Sequence, residues 1–496
     1  VSSAELARLA RAEQRILGIA AGMGLNFLPQ EFDVVSEQKM LEIMAYRLPV
    51  NFSHWSFGRD FEIERTRHAH GYAVPYEVVF NSDPVRAYLM ESNPYPIQVL
   101  VMAHVYAHND FMKNNRHFQH SRRDMIAVAS EAAARFRRYE QDYGRDEVER
   151  LIDAGLAIQW NIDPEEPIHG ESEQAARERL FGWAREPAQE GGFDDLLPDR
   201  PAVSAEEKRE LRLKTPPEPT LDLLGYIIEH SPRPLVDWQK DVLGTIKSQA
   251  LYFLPYRRTK IMNEGWATYW HQLIMQRLFQ EGFLSSEEHG FYNLYNARVK
   301  AHLPRQLNPY LLGFAVFQDL KQRWDRGRHG PAYEELEEER QRQSWDLASG
   351  QGTAKLFEVR RTYMDWFFLE EFLKQELMEE LGLYVYLEKD RGTHYDAVVE
   401  ATDWREVKRL LVRGLMNSGV PRVRVVDGNY RDSLQLYLVH EFEGLPLQED
   451  YCVRTLEHIH RLWRRPVLLE SRELDGERMR RKLFIVDESG VRVNLD

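Results

Sequence analysis

His104 and His108 stand four residues apart in the run Val99-Leu100-Val101-Met102-Ala103-His104-Val105-Tyr106-Ala107-His108. On a helix that spacing stacks both imidazoles on one face, about one turn apart. Their neighbours are apolar on nearly every side, so the helix is expected to be buried. Two buried imidazoles need partners, because an unsatisfied polar group in an apolar interior costs about 1–3 kcal/mol. A shared metal ion is one such partner, and histidines at i and i+4 have the spacing of helical zinc sites. Hydrogen bonds to backbone or carboxylates would satisfy the same two residues without a metal.

A second segment, Met262-Asn263-Glu264-Gly265-Trp266-Ala267-Thr268-Tyr269-Trp270-His271, bears on that choice. Trp266, Trp270, Leu273, Ile274 and Leu278 mark an apolar stripe. Glu264 and His271 are two helical turns apart on a common face, with Thr268 between them. An ionised carboxylate beside so much tryptophan is costly unless a positive charge neutralises it. One divalent ion could serve Glu264 and both histidines of the first helix. A first-turn glutamate favoured by the helix dipole, with His271 exposed, is the plainer alternative. It explains Glu264 better than His271.

The expected ligands are therefore His104, His108 and Glu264, with His271 either a fourth ligand or a catalytic base. Three protein ligands leave a position for water or substrate, as in catalytic zinc sites. Two histidines and a carboxylate also suit Fe(II), so zinc is expected and iron or manganese are alternatives. Hydrolysis would need a general base. His271, Asp110 and Glu131 are the candidates, and His271 is preferred because it shares a face with Glu264. Tyr310 and Arg257 are candidates to steady an oxyanion.

Residues 1–24 and 31–47 carry helical spacing of apolar residues, and Pro96 suits the first turn of the histidine helix. Residues 69–81 alternate around Gly71 and Pro75, which predicts a small hairpin. In it His68 and His70 would share a strand face as exposed residues. Residues 122–158 predict a helix pair broken near Tyr143-Gly144. The stretch 163–219 is polar and rich in proline, and reads as a surface insertion. Helical patterning returns from 220 to Leu381. Beyond it, strand-like runs (YVYL, RVRVVD, LQLYLVHEF, PVLLES, KLFIVDE) alternate with helical ones. The expected fold is mainly α: a large helical domain over 1–382 carrying the metal-site helix pair and a small hairpin or sheet, then an α/β (α+β) domain over 383–496.

The chain has 496 residues, a net charge of −14 and a single cysteine, Cys452. An acidic chain is a poor partner for nucleic acid, and one cysteine excludes disulfide frameworks and multi-cysteine zinc sites. No phosphate-binding glycine loop is present. The most apolar N-terminal stretch, 16–28, is short and broken by glycine, so neither a signal peptide nor a membrane span is expected. The expected location is cytoplasmic. His117 and His120 are expected at the exit of the histidine helix, where the dipole suits them. Cys452 is expected in a helix core.

The words His104-Val105-Tyr106-Ala107-His108-Asn109-Asp110-Phe111, Asn114-Asn115, Met262 to His271 and Asn308-Pro309-Tyr310-Leu311-Leu312-Gly313-Phe314 resemble the stage V sporulation protein R (SpoVR) family. Tyr76-Glu77-Val78-Val79-Phe80-Asn81 is similar too, and the likeness covers most of residues 5 to about 480. The resemblance implies a bacterial cytoplasmic protein tied to spore cortex peptidoglycan. In relatives that form no spores it implies stress adaptation alongside a PrkA-type serine kinase. More remotely, Asn263-Glu264-Gly265-Trp266-Ala267 resembles the Asn-Glu-Gly-aromatic-Ala word of gluzincin metallopeptidases, where that glutamate is the third zinc ligand. His104 and His108 then match the two histidines of the gluzincin HExxH helix. Val105 departs from that pattern, since it stands where the catalytic glutamate would be. Three functions follow as expectations: a metal-dependent amide hydrolase acting on a peptide or cell-wall precursor, a non-catalytic metal-stabilised scaffold or regulator, and a non-haem iron protein.

Overall fold

In the computed structural model, residues 2–69, 77–166, 214–216, 218–301, 307–390, 395–401, 403–475 and 478–495 are described. Most of the expected insertion at 163–219 lies outside them, as does His70. The helices are α1 (Ser3–Gly22), α2 (Glu37–Tyr46), α3 (Trp55–Ala69), α4 (Tyr95–Asn114), α5 (Met125–Tyr143), α6 (Arg145–Ala157), α7 (Leu223–His230), α8 (Asp237–Arg258) and α9 (Lys260–Gln280). Then come α10 (Ser286–Val299), α11 (Pro309–Asp325), α12 (Pro331–Glu334), α13 (Glu339–Ser344), α14 (Gly352–Thr362), α15 (Asp365–Phe372), α16 (Gln375–Glu380), α17 (Trp404–Leu415) and α18 (Glu449–Trp463). Strands β1 (Gln30–Val35), β2 (Glu77–Phe80) and β3 (Val85–Met90) lie early in the chain. The later strands are β4 (Val385–Asp390), β5 (Tyr395–Ala401), β6 (Val423–Tyr430), β7 (Gln435–His440), β8 (Val467–Asp475), β9 (Arg478–Asp487) and β10 (Gly490–Leu495). The chain is mainly helical with a strand-rich C-terminal part, as the periodicity predicts.

Two compact units emerge, each drawn from separate stretches of chain: residues 1–133 with 252–419, and residues 134–251 with 420–496. The first unit is built round α4, every residue of which from Pro96 to Met112 is buried. No glycine interrupts α4, and its apolar girth leaves no face for solvent. Helices α1, α9 and α10 pack on it. Thr259, just before α9, gives no side-chain cap. The Asp365 carboxylate at the start of α15 does so instead, accepting from the amides of Ile261 (2.8 Å) and Met262 (2.9 Å). Helix α11 opens with Asn308 accepting from the Tyr310 and Leu311 amides and with Pro309 in the first turn, a preorganised helix start. Helices α9 and α11 meet backbone to backbone at Gly265 and Gly313. A Cβ on Gly265 would overlap the Gly313 main chain, and one on Gly313 would overlap the Ile261 carbonyl.

Two local expectations are corrected in this unit. The helix read over 31–47 is a strand, β1, followed by α2. Glu31-Phe32-Asp33-Val34 alternates with period two, and Ser36 caps the helix by accepting from the Lys39 amide, so the register changes there. The hairpin read over 69–81 is shifted. Ala69 ends α3, and β2 pairs antiparallel with β3, Glu77 opposite Leu89. Its turn therefore falls at 81–84, not at Gly71–Pro75. His68 sits near the end of α3 with its Nδ1 2.8 Å from Glu37. The sheet order is β1-β3-β2, with β1 parallel to β3.

The second unit holds a five-stranded sheet of order β10-β9-β8-β7-β6. Strands β7 and β8 are parallel and joined through α18, while the other pairs are antiparallel. Its core includes Trp463, Leu436, Leu438, Leu456 and Phe484, and the Trp463 indole donates to the Leu434 carbonyl. Cys452 is half-buried on α18. Contacts thus divide the chain after 419, where the sequence change in periodicity lies at 382/383. Strands β4 and β5 and helix α17 group with the first unit. Among the described residues, no helix is long and apolar enough to cross a membrane.

Candidate metal centre

Helix α4 presents His104 and His108 side by side, ring centroids 4.6 Å apart. Each side chain is 4% exposed. Across from them α9 presents Glu264. Its Oε2 lies 3.6 Å from His104 Nε2 and 3.4 Å from His108 Nε2. The two histidines and Glu264 therefore meet, although α4 and α9 are some 150 residues apart in sequence.

A fourth group was missed. Glu77, the first residue of β2, places Oε1 3.4 Å from His104 Nε2 and 4.0 Å from His108 Nε2. Glu77, His104 and His108 form a group able to hold a metal ion, their ligand atoms all within 4.8 Å of one another. Its signal in the sequence was an acid inside the otherwise apolar word Tyr76-Glu77-Val78-Val79-Phe80. With the hairpin set at Gly71–Pro75, nothing linked that acid to the histidines.

Hydrogen bonding decides what these atoms offer. His108 Nδ1 lies 2.9 Å from Asn263 Oδ1, an acceptor, so this nitrogen carries the proton. In the neutral ring the lone pair of Nε2 then faces both carboxylates. His104 Nε2 and Glu264 Oε2 are buried and have no hydrogen-bond partner. So is the Thr268 hydroxyl, one turn along α9 from Glu264. A cationic ring donating to a carboxylate would sit at about 2.7–2.9 Å, well short of the 3.4–4.0 Å observed here. Acceptors crowded at that range, with no donor between them, form a cradle for a cation.

The charges respond to one another. Burial raises the Glu77 carboxyl above its usual range, and Glu264 adds to that, against the pull of His104 and His108. Burial acts on Glu264 in the same sense, but its contacts with His104 and His108 outweigh it and hold the group well below the carboxylate range. Burial lowers His108, and Glu264 with Glu77 more than restores it.

His271 is brought beside His104, but both its nitrogens are engaged. Nδ1 lies 2.8 Å from His104 Nδ1, and Nε2 lies 3.1 Å from Asn296 Oδ1 on α10. Tyr310, in the first turn of α11, has its ring 6.1 Å from that of His104. Asp110 is not brought to the cluster. Two residues beyond His108 it points about 200° round the helix. There its carboxylate takes Arg360 at 2.6 Å, the Trp266 indole at 3.0 Å and the Asn26 amide at 2.7 Å. Glu131 is exposed on α5, and Arg257 donates to the Ser418 carbonyl at 2.9 Å.

Among known proteins, the chain matches the family described as SpoVR like protein over residues 3–420 and the SpoVR-like C-terminal domain over residues 421–473. It is 30% identical over 472 residues to an Escherichia coli (strain K12) protein described as uncharacterized protein YcgB, spanning 91% of this chain and 89% of that one. No solved structure matches it.

Proposed function

The chain belongs to the SpoVR-like protein family, and with this cluster at its core we propose that it is a zinc-dependent hydrolase of an amide bond in a peptide or cell-wall precursor. The observation that carries the reading is the convergence of His104 Nε2, His108 Nε2, Glu264 and Glu77 without a donor among them. Ligands bonded at zinc distances in a tetrahedron lie roughly 3.3–3.6 Å apart. The two histidine–Glu264 separations here are 3.6 and 3.4 Å. Octahedral neighbours at similar bond lengths would be closer, near about 3.0 Å, which favours zinc over iron or manganese. The likeness of Asn263–Ala267 to the gluzincin word agrees with Glu264 as the carboxylate ligand.

A bound zinc ion would supply Lewis acidity to the scissile carbonyl and to water. The base missing at Val105 is replaced by Glu77, the looser of the two acids at 4.0 Å from His108. Burial raises its pKa above the usual carboxylate range, which makes the carboxylate a stronger base. Glu77 takes a proton from the attacking water as the carbon–oxygen bond forms. It returns the proton to the nitrogen as the carbon–nitrogen bond breaks. Tyr310, whose ring lies 6.1 Å from that of His104, is assigned as the donor to the oxyanion. A cell-wall peptide substrate would connect this chemistry to the cortex role that family likeness implies.

The short Glu77–His104 separation also favours a second reading, in which Glu77 is a fourth ligand and the closed site is a scaffold. Glu77→Gln separates the two. In the hydrolase it retains zinc and loses turnover at least about 100-fold on the peptides or muropeptides that the wild type cleaves. In the scaffold it releases zinc and lowers Tm. Zinc-loaded wild type inert toward both substrate libraries would reject the hydrolase.

A further inference from the structure

We propose that His271 and Asn296 are not ligands but positioning residues: an amide–imidazole–imidazole chain that locks His104 into the tautomer whose Nε2 can bind a metal. The inference deepens the site and rests on the reading that His104 is a metal ligand.

Asn296 Oδ1 can only accept, so at 3.1 Å the His271 Nε2 must donate to it. A neutral His271 then has a bare Nδ1. That nitrogen is 2.8 Å from His104 Nδ1, and two ring nitrogens at this distance need one proton between them, so His104 Nδ1 donates. The remaining His104 nitrogen, Nε2, is left with its lone pair toward Glu77 and Glu264. The Asn296 amide is oriented by its own Nδ2, which is 3.3 Å from the Tyr292 hydroxyl.

Reversing the amide would reverse every proton in the chain and leave His104 Nε2 as a donor. Its nearest acceptors are then 3.4 and 3.6 Å away, beyond the 2.7–3.2 Å of an N–H···O bond, and the atom has no hydrogen-bond partner. The forward chain is the one that the distances fit. His108 is served in the same way by Asn263 alone. Fixing the outer nitrogen of a ligating histidine is a general means of aiming it and raising its basicity. The chain also accounts for a histidine that is 1% exposed in a tryptophan-rich helix yet directs neither nitrogen at the cradle.

The test is zinc affinity by competition with a chelating dye, together with the visible spectrum of the cobalt-substituted full chain. The variants are His104→Ala, His271→Leu, His271→Asn, Asn296→Leu and Asn296→Asp, each checked for wild-type circular dichroism. His271→Leu and Asn296→Leu should weaken zinc binding about 10–100-fold with an unchanged cobalt spectrum. His271→Asn places an acceptor near the lost Nδ1, and Asn296→Asp keeps an obligate acceptor, so both should bind within a few-fold of wild type. A cobalt spectrum altered in His271→Asn as strongly as in His104→Ala would make His271 a ligand and overturn the proposal. Wild-type affinity in both leucine variants would show the chain to be idle and overturn it too. Failure of the wild type to bind zinc or cobalt, or full binding by His104→Ala, would instead bring down the metal reading itself.

Discussion

Replacing Gly265 by alanine should damage both the fold and the cluster, and the size of the effect follows from one helix crossing. A Cβ at 265 would overlap the Gly313 carbonyl carbon and Cα and lie 2.7 Å from the Phe314 amide nitrogen. Carbon contacts are comfortable near about 3.5–4.0 Å, so α9 and α11 must part by roughly 1 Å. Backbone atoms have no rotamer through which to escape, and overpacking at the severe end costs about 3 kcal/mol. Alanine returns about 1 kcal/mol of helix propensity, leaving a net loss of about 2 kcal/mol. Gly290 is the matched control: it is helical and exposed, and a Cβ there meets nothing within 4 Å. Gly290→Ala should therefore stabilise by up to about 1 kcal/mol. Melting followed by circular dichroism, with and without zinc, should give opposite signs of ΔTm for the two variants. Gly265→Ala should also bind zinc more weakly, because the helix that must shift carries Glu264 next to it. Equal Tm changes in the two variants, or a Gly265→Ala protein as stable as wild type, would refute the close-crossing argument.

Asp110→Ala strands Arg360, 8% exposed, without its carboxylate; breaking a buried pair costs about 3–5 kcal/mol. Urea unfolding should show that loss while zinc stoichiometry is unchanged, and loss of zinc with normal stability would contradict the assignment. His117 is held down to about 4, first by burial and then by Arg258 and Arg116. Its folded value is below its unfolded one, so the unfolded chain binds the extra proton and stability falls as pH drops from about 6.5 through 4. His117→Gln should flatten that part of the pH–stability curve, and an unchanged slope would exclude the residue as its source. Chelation of the metal should lower the Tm of the wild type and leave that of His104→Ala unmoved.

The histidine and glutamate helices were legible because their geometry is local. A 3.6-residue period puts His104 above His108 and Glu264 in line with His271 whatever else the chain does. Apolar neighbours on every side announced burial. The turn from helical to strand-like periodicity was equally plain, since LQLYLVHEF and KLFIVDE have the two-residue repeat of half-buried strands. Where the local signal was short it misled. The helical reading of 31–47 takes in five of the six residues of β1, and the hairpin is set by the pairing of Glu77 with Leu89 instead of by Gly71 and Pro75.

What tertiary structure alone decided is which atoms face which. Sequence spacing can place a side chain on a helix face, but the hydrogen-bonding state of an imidazole depends on partners far along the chain. Asn296 lies against one nitrogen of His271 and His104 against the other, contacts that no spacing within one helix announces. Arg360, 250 positions from Asp110, neutralises an acid that composition alone would offer for catalysis. Glu77 enters the cradle because β2 takes its register from β3. No periodicity in one strand encodes the orientation of a residue on another, because long-range pairing is fixed by the sum of all packing and not by any segment's own preference.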